Sequence, residues 1–179
     1  MLEELEKRIQ KIAERYQTKN ATAVRVGVGD AEVAEYASSV EHGWIKTATP
    51  ELAEYLSAAS GREIKVGTKL TCPPRPFFRA TFAAEHKKWQ DLFSKSVVAL
   101  GVEGALSKTG VAMQLDIQNT IADGGTSKTK FEPRHKLTMQ IYAREAQSHK
   151  RDGSPAKYAT TQPLYLTGTL LESIQYELI

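Results

Sequence analysis

The chain has 179 residues, 41% of them hydrophobic and 25% charged, which is the composition of an ordinary globular protein and excludes a disordered or fibrous one. The length predicts a single domain over residues 1–179. The single cysteine, Cys72, excludes an internal disulfide framework, and no apolar stretch reaches the roughly 18 residues that a membrane span needs. The net charge of +3 is too small to indicate a nucleic-acid-binding protein by itself.

Helical and extended patterns follow one another along the chain. Strands are predicted from alternating or small apolar residues at 23–30, 34–43, 62–70 and 173–179. Helices are predicted from apolar residues three and four positions apart at 2–16, 50–60, 77–101, 102–125 and 136–154. Thr49 before Pro50 predicts an N-cap, and Gly61 predicts the end of that helix. Polar composition predicts mobile loops at about 123–134 and 150–162.

The most unusual stretch is PPRPFFR at residues 73–79, where three prolines and two aromatic rings stand together. Three interpretations compete: a proline-rich ligand, a nucleic-acid contact through the arginines and rings, or a rigid lead into the next helix. Phe78 and Phe82 fall at helical spacing, which favours the lead into a helix. The stiff lead then has two open uses: exposed Arg75 and Phe77 insert against a neighbouring subunit, or the prolines only separate two elements.

Charge is unevenly distributed along the chain. Residues 30–54 carry six acids and one lysine, whereas residues 128–157 carry eight lysines or arginines and three acids. Two solvated surfaces explain this pattern. Two complementary faces that meet between neighbouring copies in a ring also explain it. The basic run further suits an alternative function, a nucleic-acid-binding module that uses residues 128–157.

No catalytic, cofactor-binding or metal-binding residue is predicted, and we do not expect an enzyme. The VGVGD turn lacks the third glycine of a dinucleotide fingerprint and the Lys-Ser or Lys-Thr of a phosphate loop. Glu41 and His42 are predicted to lie on opposite faces of a strand, which prevents a shared acid–base role. Ser173 has no G-x-S-x-G context and is interpreted as a turn residue.

After the predicted N-terminal helix, four motifs occur in a recognisable order: VRVGV at 24–28, EHGW at 41–44, PPRPFFR at 73–79 and QPLYLTGTLLESIQYEL at 162–178. The insert TPELAEYLSAASGREIKVGTKL, at 49–70, stands between the second and the third. In these motifs and their order the chain resembles the small neck and tail-completion proteins of tailed bacteriophages, which act at head–tail joining or tail termination. The resemblance covers most of the chain, and it is the combination of the motifs that makes it specific.

The resemblance implies an α+β fold, in which helices pack a small twisted, mainly antiparallel sheet, with a helical insertion and extended loops. It implies a structural virion protein that assembles in the host bacterial cytoplasm as a homo-oligomeric ring, expected to be a hexamer. The partners would be neighbouring neck, connector and tail-tube proteins, and DNA would pass through the channel without sequence-specific binding. The residues expected at the interface are Trp44, Pro74, Arg75, Pro76, Phe77, Arg79, Thr167 and Gly168.

Overall fold

A computed structural model describes residues 21–141, 164 and 168–179, and their fold class is α+β, as predicted. The strands are β1 (Val24–Val28), β2 (Trp44–Thr47), β3 (Lys69–Cys72) and β4 (Ile174–Leu178). The helices are α1 (Ala31–His42), α2 (Pro50–Ser60), α3 (Phe77–Ala122) and α4 (Thr169–Glu172), and a further helical segment begins at Lys136. The predicted helix at 2–16 and the predicted loop at 150–162 lie outside the described residues.

The strands form two separate antiparallel pairs. β1 pairs with β4, with Val24 opposite Leu178 and Val28 opposite Ile174, so the first and last predicted strands are confirmed. β2 pairs with β3 in the same antiparallel sense. Two strands alone are only marginally stable in water, and the β1–β4 pair is supported by α1 and α3, which pack against it.

Helix α2 is the predicted helical insertion, because it lies in the chain between the paired strands β2 and β3. Its caps are those expected: Thr49 Oγ1 accepts the backbone N–H of Leu52 at 3.3 Å, and Gly61 ends the helix with a left-handed φ of 71°. The strand predicted at 62–70 is wrong over most of its length, since the paired strand begins only at Lys69.

The strand predicted at 34–43 is wrong, because these residues belong to helix α1. The carboxylate of Asp30 accepts the backbone N–H groups two and three residues further on, at 2.9 and 3.1 Å, and so caps a helix where a glycine turn was expected. Ala37 and Val40, three positions apart, are both buried in the core, which is the spacing of a helix face. Gly43 then ends the helix with a φ of 72°.

Helix α3 is a helical hairpin joined at one residue. Gly101 has a φ of 72° and a ψ of 179°, a combination that only glycine adopts readily, and the helical ladder is broken there. We call residues 77–100 the first arm and residues 102–122 the second arm. The boundary between two helices predicted at 101 is therefore confirmed.

Polar side chains link the two arms and show that they are antiparallel. The buried hydroxyls of Thr81 and Thr120 are 2.7 Å apart. Nearer the turn, Asp116 accepts hydrogen bonds from Trp89 Nε1 at 2.7 Å and from Lys88 Nζ at 2.7 Å. The bond to Asp116 raises the pKa of Lys88 above its ordinary value.

The second arm packs on the β1–β4 pair at a glycine. A Cβ at Gly110 would lie 2.5 Å from Tyr176 Cδ2 and 2.7 Å from Val24 Cγ2, so only glycine lets the helix approach this closely. The buried core extends from this contact across α1 and the C-terminal segment. Its members are Ala37, Val40, Phe77, Ile117, Ile121, Phe131, Leu164, Leu170 and Ile174.

The predicted loop at 123–134 is irregular but hydrogen-bonded. Gly125 and Lys130 pair as an isolated antiparallel bridge, and the N–H of Phe131 donates to the Gly124 carbonyl at 2.9 Å. Phe131 itself is 8% exposed and belongs to the core. The loop is thus anchored at one ring, and its predicted mobility stays a prediction.

Candidate functional site

The proline junction, residues 73–79, is where two of the sequence motifs meet. The chain at Gly43 approaches it so closely that a Cβ there would lie 2.7 Å from the Pro74 nitrogen. The backbone N–H of Arg75 donates to the carbonyl of Val40 at 2.9 Å. The EHGW and PPRPFFR motifs, far apart in the sequence, therefore form a single contact between the end of α1 and the start of α3.

Glu41 caps helix α3 across this contact. Glu41 is 5% exposed, and its carboxylate accepts hydrogen bonds from the backbone N–H of Phe78 at 3.0 Å and from that of Arg79 at 3.2 Å. The Arg79 Nε donates to the same carboxylate at 3.0 Å. Pro76, which precedes the helix, provides no side-chain cap, so the distant carboxylate satisfies N–H groups that would otherwise lack partners and complements the helix dipole.

Sequence reasoning missed the role of Glu41, which it counted among the acids of a surface run. The only indication in the sequence is the absence of a local cap: α3 begins after proline, with no Ser, Thr, Asp or Asn at its start. A buried helix start without a local cap requires an acceptor from elsewhere in the chain. The sequence pattern indicates that such an acceptor exists but does not identify it.

The expected exposure of Arg75 and Phe77 is wrong. Arg75 is 7% exposed and Phe77 is fully buried. The Phe77 ring contacts the Phe78 ring at a centroid distance of 4.8 Å and belongs to the core cluster. The prolines therefore serve as the rigid lead into α3 and aim Phe77 inward, because a ring at the first helical position follows the direction that the prolines set. Neither side chain projects from the surface, so neither can insert against a neighbouring subunit in this conformation.

The other predicted interface residues at the junction are more accessible. Pro74 is exposed and Pro76 is half-buried. The side chain of Arg79 is 60% exposed, although its Nε pairs with Glu41. Trp44 is half-buried, with the Lys46 ammonium 5.3 Å from the ring centroid. Trp44, Pro74, Pro76 and Arg79 are thus the members of the predicted interface at the junction that retain exposed surface.

The last two predicted interface residues belong to the C-terminal motif. Gly168 is buried at the start of α4, with a φ of 84°, and Thr167 lies outside the described residues. Ser173 Oγ donates to the Leu170 carbonyl at 2.7 Å. The interpretation of Ser173 as a turn residue is confirmed by this bond.

An apolar groove of about 330 Å³ lies beside the junction, between the two arms of α3 and strand β1. Phe82 stands at its rim and is 59% exposed, although its helical spacing places it on the same face as the buried Trp89. The Phe82 ring stacks on His86 at 5.6 Å and meets Trp89 edge-on at 6.1 Å. The groove is lined by Val26, Phe78, Arg79, Phe82, Trp89, Met113 and Ile117.

Charged surfaces surround these features. Four of the acids counted in the acidic run are exposed on α1 and α2, and Glu41 is the one that is buried against Arg79. The described part of the basic run carries exposed lysines at its start. These exposed charges are Glu32, Glu35, Glu51, Glu54, Lys128, Lys130 and Lys136.

Within the described residues, no three His, Cys, Asp or Glu side chains lie close enough together to hold a metal ion. In the same part of the chain, no helix combines the length and apolar character that crossing a bilayer requires. No protein-family model, curated protein or solved structure matches the chain. Its function is therefore inferred from its own residues and contacts.

Proposed function

We propose that this chain is a structural subunit of a tailed-phage particle, which forms a homo-oligomeric ring at the head–tail junction or terminates the tail tube. The ring, a hexamer in this proposal, contacts neighbouring neck and tail-tube proteins in the virion. DNA passes through its channel without sequence-specific binding. In this proposal the subunit binds its neighbours through complementary shape and charge and catalyses no reaction.

The observation that carries the proposal is the apolar groove with the exposed Phe82 at its rim. A large aromatic ring that is 59% exposed beside an apolar groove is typical of a surface that contacts another protein. Val111 and Leu115, on the second arm, are 43% and 52% exposed and form a separate apolar patch, because they lie on a different face of the helix from the groove residues Met113 and Ile117. Burial of these side chains between copies supplies the main attraction in the proposed ring.

Charge supplies the specificity of the proposed contact. The exposed acids of α1 and α2 and the lysines that follow α3 lie on different elements of one subunit. In a head-to-tail ring the acidic surface of one copy meets the basic surface of the next. Glu41 takes no part in this contact because Arg79 of its own chain already pairs with it.

The positions of the four motifs also support the proposal. VRVGV forms β1 and pairs with β4, which lies within the C-terminal motif. EHGW and PPRPFFR meet at the proline junction through Glu41 and Gly43. Residues that carry the resemblance thus contact one another in the fold.

The test is the mass of the protein in solution. Size-exclusion chromatography with light scattering, at low and high salt and over a range of protein concentrations, should give a multiple of the chain mass of 19.8 kDa. Phe82→Ser should shift the protein towards the monomer. The matched control is Val66→Ser, since Val66 is also exposed, at 62%, but does not line the groove. A monomer in every condition, or equal effects of the two variants, contradicts the proposal.

The nucleic-acid-binding alternative stays a prediction. Lys128, Lys130 and Lys136 are exposed, and residues 142–157 of the basic run lie outside the described residues. This alternative predicts a gel shift that weakens steeply as salt is raised, because each phosphate contact releases counterions. Absence of binding at low salt would exclude it.

A further inference from the structure

A second pocket of about 330 Å³ is bounded by α1, by the β2–β3 pair and by the segment after the loop at 123–134. We call it the arginine pocket. Part of its wall is apolar and includes Val40, Trp44 and Leu137. The volume is at the lower end of the range of small-molecule sites, so it suits a small ligand or a single inserted side chain.

The polar side of the arginine pocket is basic. Lys69, Arg75, Arg134 and His135 all line it. Among the described residues that line the pocket, there is no aspartate or glutamate. A cavity with several cationic groups and no lining carboxylate concentrates positive potential, which attracts an anion.

Arg75 is the buried member of this group. It is 7% exposed, yet its hydrogen-bond partners among the described residues are neutral: Nε donates to the Glu132 carbonyl at 3.3 Å, and Nη1 is 3.5 Å from Cys72 Sγ. Within the described part of the chain, no hydrogen bond engages Nη2 and no carboxylate lies within ion-pair distance of the guanidinium. Removing a guanidinium from water is costly unless an anion compensates its charge, so the pocket beside Arg75 is suited to receive one.

Tyr36 lies in the same basic part of the arginine pocket. Burial raises the pKa of its hydroxyl, and the positive charges of Arg134 and Arg75 act in the opposite direction. Half of Tyr36 is exposed to solvent, and the residue lines the arginine pocket together with Arg75 and Arg134. Its hydroxyl is a neutral hydrogen-bond donor, which suits the several acceptor atoms of an oxyanion.

We propose that the arginine pocket binds an oxyanion, a carboxylate or a phosphate, which pairs with Arg75 and Arg134 and rests its apolar part against the wall beside Trp44. A guanidinium presents parallel N–H groups that match the two oxygens of either anion. The anion comes either from a free small molecule or from an acidic side chain of a second copy. The inference does not depend on the proposed phage function, because a monomeric protein can bind a free anion in the same way.

The experiment measures the thermal unfolding midpoint with sodium phosphate or sodium succinate, against sodium chloride at equal ionic strength. For a dissociation constant of about 1 mM, about 10 mM of the bound oxyanion should raise the midpoint by about 3–6 °C. Arg134→Gln should lose at least half of that shift. The matched control is Arg62→Gln, which removes the same charge from an exposed position outside the pocket and should keep the shift. Arg134→Gln is preferred to a change of Arg75, whose buried side chain also supports the fold.

Sedimentation of the same proteins distinguishes the two sources of the anion. If an acidic side chain of a second copy fills the pocket, the wild type and Arg62→Gln associate without added oxyanion, phosphate dissociates them, and Arg134→Gln stays monomeric. If the ligand is a free small molecule, phosphate raises the midpoint without changing the mass. The proposal is overturned if neither oxyanion stabilises the protein beyond chloride and association is insensitive to phosphate. It is also overturned if Arg134→Gln retains the full response of Arg62→Gln.

Discussion

Replacing Glu41 with glutamine tests the long-range cap of helix α3. The carboxylate accepts the backbone N–H groups of Phe78 and Arg79 with different oxygens, Oε2 and Oε1. A glutamine of the same shape has one oxygen and one NH₂ group, so in either orientation a donor faces one of these N–H groups. The variant therefore leaves a partly buried backbone donor without an acceptor at the start of the hairpin.

The magnitude follows from what is lost at this contact. An unpaired buried N–H costs about 1–3 kcal/mol, and loss of a helix cap costs about 1 kcal/mol, two figures that describe the same bond and are not added. The ion pair with Arg79 contributes at most about 1 kcal/mol, because the Arg79 side chain is 60% exposed and water screens it. We expect Glu41→Gln to lower the free energy of unfolding by about 2 kcal/mol. For a chain of this size, this corresponds to a fall in the thermal unfolding midpoint of about 4–8 °C.

Urea unfolding at neutral pH measures the effect, with two variants for comparison. Glu35→Gln makes the same chemical change at an exposed position of α1 and should leave the urea concentration at the unfolding midpoint unchanged. Arg79→Gln removes the ion pair and the hydrogen bond from Arg79 Nη2 to the Glu41 carbonyl, but it should cost less than half as much as Glu41→Gln, since the carboxylate keeps both backbone donors. The reasoning is refuted if Glu41→Gln is as stable as Glu35→Gln. Equal losses in Glu41→Gln and Arg79→Gln would show that the ion pair, and not the cap, supports the contact.

Two further predictions concern the hairpin. Gly110→Ala should destabilise the protein by about 1–2 kcal/mol in chemical denaturation, because the new methyl group would lie 2.5 Å from the Tyr176 ring. The control Gly27→Ala should cost little, since nothing lies within 4 Å of a Cβ there. If Gly110→Ala were as stable as the wild type, the close approach would be contradicted. The hydrogen bond to Asp116 raises the pKa of Lys88 in the folded chain, so its stabilising effect should be complete below the ordinary value of 10.5 and be lost as the pH rises through the raised one. The difference in unfolding free energy between wild type and Lys88→Met should therefore stay constant up to about pH 10 and shrink above it; a difference that does not change at alkaline pH would contradict this.

The parts of the fold with strong local signals were predictable from the sequence. Alternation of apolar residues gave β1 and β4, and the Thr49 cap with Gly61 gave both ends of α2. The change of helix at Gly101 was also predicted from the spacing of apolar residues. These signals act within a few residues of one another, which is the range over which propensity and capping operate.

Helix α1 was missed because its local signals are weak and ambiguous. Small residues such as Ala34, Ala37 and Ser38 suit either a strand or a helix, and Asp30 follows a glycine turn that also suits a hairpin. The packing of Ala37 and Val40 into the core decides between the two states, and this packing involves residues from the other end of the chain. Tertiary contacts of this kind override weak local preference.

The candidate site was predictable in position but not in orientation. The sequence identified the proline junction as a stiff lead into a helix, which is confirmed, but not the direction in which Arg75 and Phe77 point. That direction depends on how the prolines and the helix start dock against α1, where the contact partner Glu41 is 37 residues before Phe78 in the chain. The arginine pocket likewise combines residues from α1, the proline junction and the segment after the loop, so no single stretch of sequence indicates it.

The positive φ of Gly101 decides whether α3 folds back as a hairpin or continues as one straight helix. If a residue with a Cβ stood there, the φ of 72° would be strained, and a continuous rod of about 69 Å over the whole of α3 would compete with the folded-back form. In such a rod Thr81 and Trp89 would be separated from Thr120 and Asp116 of their own chain. Each could regain these bonds only from a second molecule that had opened in the same way. A substitution at this glycine would thus favour an exchanged dimer over the internal hairpin without altering any contacting side chain.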